Sequence, residues 1–294
     1  MAFTTANLLA SVNLRAFAPV DATTFSNADI LSLADEEIST LLVPHLMSMR
    51  EEYFVTYKDI PIISGTTAYD IPIRAIGLGV RSVALLTSSG SIRPLPLINI
   101  TEIGSNIQTG VQGFYLMGNS IILYPTPNNS TDTIRVHYQR APSKLIEASA
   151  AFLISGISAP LTQVTSAANA PTAFLSGLYY DVIRQDGGQE TIQQDFLANS
   201  VSTNTIAFTL GAVTSATRVG DYVALANQSP LIQFPAEYRG VLAQAVTCRI
   251  LQSMRLPGTN EEVDRLKQML DGVKLLVGGR SIGQRKKIVT KNWW

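Results

Sequence analysis

Cysteine is almost absent from this chain: Cys248 is the single one among 294 residues. One thiol makes no intramolecular disulfide and no cysteine-built zinc site. Histidine is nearly as scarce, with His45 and His137 alone. Charge is thin as well. Asp, Glu, Lys and Arg supply 15% of the residues, well under the usual quarter. The 22 basic side chains cancel the 22 acidic ones, so no global excess of one sign marks a nucleic-acid binder. No run approaches the ~18 apolar residues of a membrane span, so no membrane partner is expected. Near the N-terminus, Leu8-Leu9-Ala10 and Ala16-Phe17-Ala18 have no basic stretch before them, and the apolar run is too short for a secretory signal. Apolar residues, by contrast, make up 46% of the chain. That is enough for a core that folds without staples. A surface so poor in charge must solvate itself with Ser, Thr, Asn and Gln, or be covered in an assembly.

The neutral total hides a pattern. Residues 1–56 carry seven acids against two bases, Arg15 and Arg50. Residues 280–294 carry five bases and no acid: Arg280, Arg285, Lys286, Lys287 and Lys291. The asymmetry is concentrated in those last fifteen residues.

Helical periodicity starts at about Asn27. Ser26 caps it with Asp29 three residues on, a capping-box spacing. Ile30, Ala34, Ile38, Leu41, Leu42, Leu46 and Met49 then recur at helical intervals. Pro44 removes a backbone donor and predicts a kink or a split. Asp35-Glu36-Glu37 is expected on the solvent side. From 57 to 230 the pattern turns to β. A first block, 57–142, includes Ile134, Val136 and Tyr138 alternating with polar residues, the spacing of a half-buried strand. A second block, 150–230, holds short strands and an Asp186-Gly187 turn between Tyr179–Arg184 and Glu190–Gln194. Helices return over 231–279. Tyr238, Val241, Leu242, Ala245, Val246 and Ile250 form one apolar stripe; Val263, Leu266, Leu270, Val273 and Val277 form the next, with Gly278-Gly279 as the stop. The expected fold is α+β. A helical bundle built from 1–56 and 231–279 carries a large inserted antiparallel β region, and 280–294 forms an extended basic tail.

Chemistry is poorly supported, and no catalytic residue, cofactor or metal site is predicted. The two histidines are far apart in sequence and lack the i, i+4 spacing of a helical zinc motif. Cys248 lies among Val246, Ile250 and Leu251, the setting of an inert buried thiol. Gly77-Leu78-Gly79 lacks the third glycine of a dinucleotide loop. Tyr179, Tyr180 and Asp181 are a faint hint of a carbohydrate platform. The tail stands out more. It ends in Trp293-Trp294, and paired tryptophans beside arginines are residues that anchor interfaces.

Several segments together carry a resemblance: 25–37 (FSNADILSLADEE), 41–47 (LLVPHLM), 50–54 (REEYF), 64–72 (SGTTAYDIP), 118–125 (GNSIILYP), 136–142 (VHYQRAP) and 220–224 (GDYVA). The pattern resembles the head-to-tail adaptor, or connector, proteins of tailed bacteriophages, especially short-tailed ones. The resemblance implies a virion structural protein, made in the host cytoplasm, that forms a closed ring of usually about twelve copies. Its partners would be the portal protein of the head, a tail nozzle or other tail protein, and viral DNA passing through the lumen without sequence-specific contact. Portal binding is expected of Arg280, Arg285, Lys286, Lys287, Lys291, Trp293 and Trp294. The alternatives are another tail subunit (completion, tube or fibre base) and a carbohydrate-binding β-sandwich.

Overall fold

The computed structural model describes residues 3–16, 25–99, 110–158, 162–185, 191–208, 214–255 and 259–277. Its fold is α+β, with antiparallel sheets between N- and C-terminal helices. The chain divides into two units. One comprises 1–50 and 142–294, the other 51–141.

In the first unit, the helices are α1 (Thr5–Ala16), α2 (Asn27–Glu37), α3 (Val43–Met49), α4 (Tyr238–Ser253) and α5 (Thr259–Val277). α4 is the axis. Ten of its sixteen residues are buried, and α1, α2 and α5 pack against it. The buried set includes two polar residues, Gln244 and Thr247, beside the apolar ones. The capping box at α2 forms as its spacing predicts: Ser26 Oγ accepts from Asp29 N at 3.2 Å, and Asp29 Oδ2 accepts from Ser26 N at 2.9 Å.

Pro44 acts through the turn before it. Residues Ile38–Leu42 form a π-helical turn, and Val43 N donates to Ile38 O, five residues back. The wider turn separates the proline ring from the carbonyl it would strike in a regular α-helix. Pro44 then falls in the first turn of α3, where its missing N–H costs nothing.

Of the acidic cluster expected on the solvent side, only Glu36 is exposed. Glu37 is 5% exposed and paired with Arg249 of α4. Asp35 is half-buried, and its Oδ1 accepts from Leu145 N at 2.9 Å. These carboxylates lie where α2 meets α4 and strand β8 (Lys144–Leu145), so partners replaced the water that charge alone would have demanded.

Helix α1 was not foreseen. Leu8, Leu9, Val12 and Ala16 are buried on its inner face. Its start is tied by Thr5 N to Pro230 O at 2.9 Å, and Arg15 reaches Gln244 Oε1 at 2.9 Å.

The same unit contains a seven-stranded sheet. Its strands are β9 (Phe152–Leu153), β10 (Gly156–Ile157), β11 (Gln163–Thr165), β12 (Tyr179–Ile183), β13 (Thr191–Val201), β14 (Thr205–Phe208) and β15 (Tyr222–Leu225), ordered β10-β11-β14-β13-β12-β15-β9. Phe152, Phe174, Tyr180, Phe196 and Phe208 fill one side, with Phe196 and Phe208 edge to face at 4.4 Å. The Asp186-Gly187 turn predicted between β12 and β13 lies outside the described residues, but the two strands pair antiparallel. One short pair departs from the antiparallel rule: β16 (Gln228–Ser229) runs parallel to β8.

In the second unit, β1 (Val55–Pro61), β7 (Thr133–Arg140), β3 (Ala75–Leu86) and β4 (Ile92–Leu95) form one sheet in that order. β2 (Ala68–Asp70), β6 (Ser120–Tyr124) and β5 (Gly113–Met117) form another. The two share a core that includes Ile71, Val83, Phe114, Ile121 and Leu123 with Ile134, Val136 and Tyr138, the alternating set of β7. The Ser64–Thr66 turn is fastened by Tyr69, whose hydroxyl accepts from Ile63 N at 3.0 Å and donates to Thr66 O at 3.1 Å.

Candidate assembly surface

The groups that could have carried chemistry each have a partner within the chain. His45 Nδ1 lies 2.8 Å from the Tyr238 hydroxyl, between α3 and α4. Burial lowers the imidazole's affinity for a proton; Lys274 adds to this and Asp271 opposes it. Burial also pushes the Tyr238 phenol up to about 12, against a small pull from Arg50. The pair is therefore a neutral hydrogen bond at neutral pH, and Tyr238 is fully enclosed. Cys248 is buried, which raises its thiol pKa, and its Sγ lies 3.8 Å from Gln244 Nε2. His137 Nδ1 is 3.2 Å from Ser82 Oγ on an outer sheet face. In a Ser-His-Asp triad a carboxylate orients the base. Asp59, one pair further along that face, is instead gripped by Arg135 through two contacts of 2.8 Å.

The tyrosines named from sequence divide. Tyr179 is 55% exposed, but Tyr180 and Asp181 are fully buried. The Tyr180 hydroxyl is bonded to Leu175 N and O, both at 2.9 Å. The Asp181 carboxylate accepts from Asp195 N at 3.1 Å and Asn227 N at 3.0 Å. Both of those residues have positive φ, so Asp181 stabilises two strained backbone positions rather than a ligand. Among the described residues, no group of three His, Cys, Asp or Glu side chains is placed to hold a metal, and no helix is long and apolar enough to cross a membrane.

What the surface does offer is apolar. On β12 and β13, Tyr179 and Leu197 are cross-strand partners, both exposed, and Leu175 and Leu178 are exposed just before them. In the second unit, Leu116 and Met117 lead into the tight β5–β6 hairpin, whose Gly118 has φ +58°. At the end of α5, Leu275 and Leu276 are 87% and 71% exposed, between the buried Val273 and Val277. This end is fixed from behind: Arg50 Nε donates to Val277 O at 2.8 Å. A guanidinium there suits the negative pole of the helix dipole. The predicted Gly278-Gly279 stop and the tail residues Arg280, Arg285, Lys286, Lys287, Lys291, Trp293 and Trp294 all lie outside the described residues. Arg50, Leu275 and Leu276 were not singled out from sequence. The signal was present in the leucines, which fall off the stripe that α5 turns toward α4.

Apolar side chains are thus exposed on both units, while the histidines and the thiol each have a partner within the chain. A family model described as SU10 adaptor protein matches residues 3–200, and the chain belongs to that family. It is thus a phage adaptor, a structural component of the virion, as the resemblance implied at that coarser level. No curated protein matches the chain.

Proposed function

We propose that this protein forms a ring that joins the portal of the phage head to the tail and surrounds the DNA channel. The observation that carries the reading is membership of the adaptor family over residues 3–200. Copies in a closed ring meet through heterologous side-to-side contacts, and the exposed apolar patches on both units are available for them. A ring of about twelve copies, as in the connectors of short-tailed phages, is the expected assembly. The protein has no enzymatic turnover in this reading. DNA passes through without sequence-specific contact, and a tail nozzle or similar tail protein occupies the far side.

The portal contact is assigned to Arg280, Arg285, Lys286, Lys287, Lys291, Trp293 and Trp294. Exposed ion pairs with portal carboxylates contribute only ~0.2–1 kcal/mol each. A tryptophan seated in a well-filled pocket contributes more, roughly 3–5 kcal/mol by analogy with core truncations. Repetition around the ring multiplies either through avidity. The test has two readouts. Electron micrographs of the purified protein with portal should show rings with a central hole. Deletion of 281–294 should leave the circular dichroism spectrum unchanged and abolish capture by portal; unchanged capture would remove the tail from the anchor.

A further inference from the structure

We propose that a cavity of about 370 Å³ at one end of the core of residues 51–141 is a binding site for a neutral sugar residue. Strand register builds it. Side chains on one face of a sheet recur at every second residue. On the inward face of β3, β4 and β7, Val83 is paired with Leu95 and with Val136, and all three are buried. Two residues further along β3, Leu85 is paired with Ile134 and with Arg93, so a guanidinium stands where the apolar core would continue. One step beyond, Thr87 follows Leu85 and Asp132 precedes Ile134, and both line the cavity. The floor is formed by the buried Leu85, Val111 and Pro127; the rim carries Arg93, Asp132 and Asn128. An apolar floor with a few convergent polar groups is the form of a small-molecule site, and such sites run from ~300 to 1,000 Å³.

The rim selects the ligand. Arg93 and Asp132 carry opposite charges, so the cavity presents no net charge to an ion. It presents donors and acceptors together. Arg93 Nη2 donates to Val111 O, which leaves further N–H groups of its fork to a ligand. Asp132 is held in place: its Oδ1 accepts from Ser88 N at 3.2 Å and its Oδ2 from Asn129 Nδ2 at 3.0 Å, and each oxygen keeps a lone pair. The loop on the other side is pinned by Gly65 N, which donates to Pro127 O at 2.9 Å. Groups fixed before the ligand arrives lose little entropy on binding. The exposed Asn128 amide both donates and accepts. A sugar answers this set, because each hydroxyl also donates and accepts while the ring C–H groups suit an apolar floor. A zwitterionic amino acid would use the charges of Arg93 and Asp132 and give the Asn128 amide no role. Tyr179 has no part in the site, since it belongs to the other unit.

The experiment is saturation-transfer NMR on the full-length protein. The probes are the methyl glycosides of glucose, galactose and N-acetylglucosamine, the matching trisaccharides, and alanine as the zwitterion. Wild type should transfer saturation to at least one sugar and not to alanine. Transfer to the glycoside marks a free sugar as a sufficient ligand; transfer to the trisaccharide alone marks the end of a polysaccharide chain, and either supports the site. Asn128→Ala should weaken the binding roughly three- to tenfold, the worth of one hydrogen bond, with its Tm unchanged. Arg93→Met should weaken it at least as much, and Lys58→Ala, on β1 of the same unit, should bind like wild type. If Arg93→Met lowers Tm, the exposed Asn128 decides alone. No transfer to any sugar, binding of alanine in their place, or sugar binding that Asn128→Ala leaves at the wild-type level would each overturn the proposal.

Discussion

At the scale of the residue, Asp35 is the side chain whose setting most contradicts its chemistry. Burial pushes its pKa up to about 6, opposed by the hydrogen bond from Leu145 N and by the charge of Lys144. Its Oδ2 is enclosed, with no hydrogen-bond partner among the described residues. The folded protein therefore holds this proton more tightly than the unfolded chain does. The resulting contribution to stability is full below the unfolded value of 3.8 and is lost as pH rises through about 6. Asp35→Asn should accordingly raise Tm at pH 7.5 and flatten its dependence between about pH 4 and 6, with the gain vanishing near pH 4. Calorimetric scans of both proteins across that range would decide it, and an equal shift at every pH would refute the assignment. Sequence placed Asp35 and Glu37 in water because a triplet of acids after a cap reads as a solvated face. What the triplet does not reveal is that Leu145 and Arg249, more than a hundred residues away, supply the partners.

At the scale of the element, legibility followed locality. The α2 capping box and the alternation of β7 depend on neighbours a few residues apart, and both formed as spacing dictated. Pro44 announced a break, but not that the break would be a π turn, because where the helix widens is decided by packing on α4. Helix α1 was missed because Leu8-Leu9-Ala10 reads as a short apolar run and its start is fixed by the segment around Pro230, remote in sequence. The end of α5 is another long-range construction. Arg50→Gln removes the cation from that helix terminus, which should cost about 0.3–1 kcal/mol. The loss should appear as faster hydrogen exchange confined to the last turn of α5, around 273–277, with the remaining helices unchanged. Faster exchange throughout the helical unit would mean that Arg50 has a global role instead.

At the scale of the whole molecule, the spacing of short strands treats the two β blocks alike, yet they belong to different units. The second block shares a body with the helices because Ile183, Tyr222 and Ala224 pack on Leu231, just before α4. That contact is invisible to a count of strands. The first block closes on itself. Its core is its own, and its two chain ends are neighbours: Val55 pairs with Gln139, and Gln139 Nε2 donates to Glu51 O at 3.2 Å. Residues 51–141 expressed alone should therefore fold and unfold in one cooperative transition, followed by near-ultraviolet circular dichroism. A spectrum without fixed aromatic signals would show that the unit depends on the rest of the chain. The candidate surface was legible only to a degree. Composition drew attention to the tail, whereas the leucines of α5 gained meaning once Val273 and Val277 were seen to face inward.

The way 51–141 joins the chain also sets how it responds to force. Its entry and exit run through β1 and β7, which pair antiparallel from Val55–Gln139 at the junction to Pro61–Thr133 at the far end. Tension drawn across that junction loads the ladder as a zipper. Its bonds break in succession from Val55 instead of sharing the load in shear. A ladder loaded in this way opens at a lower force than the same ladder loaded in shear.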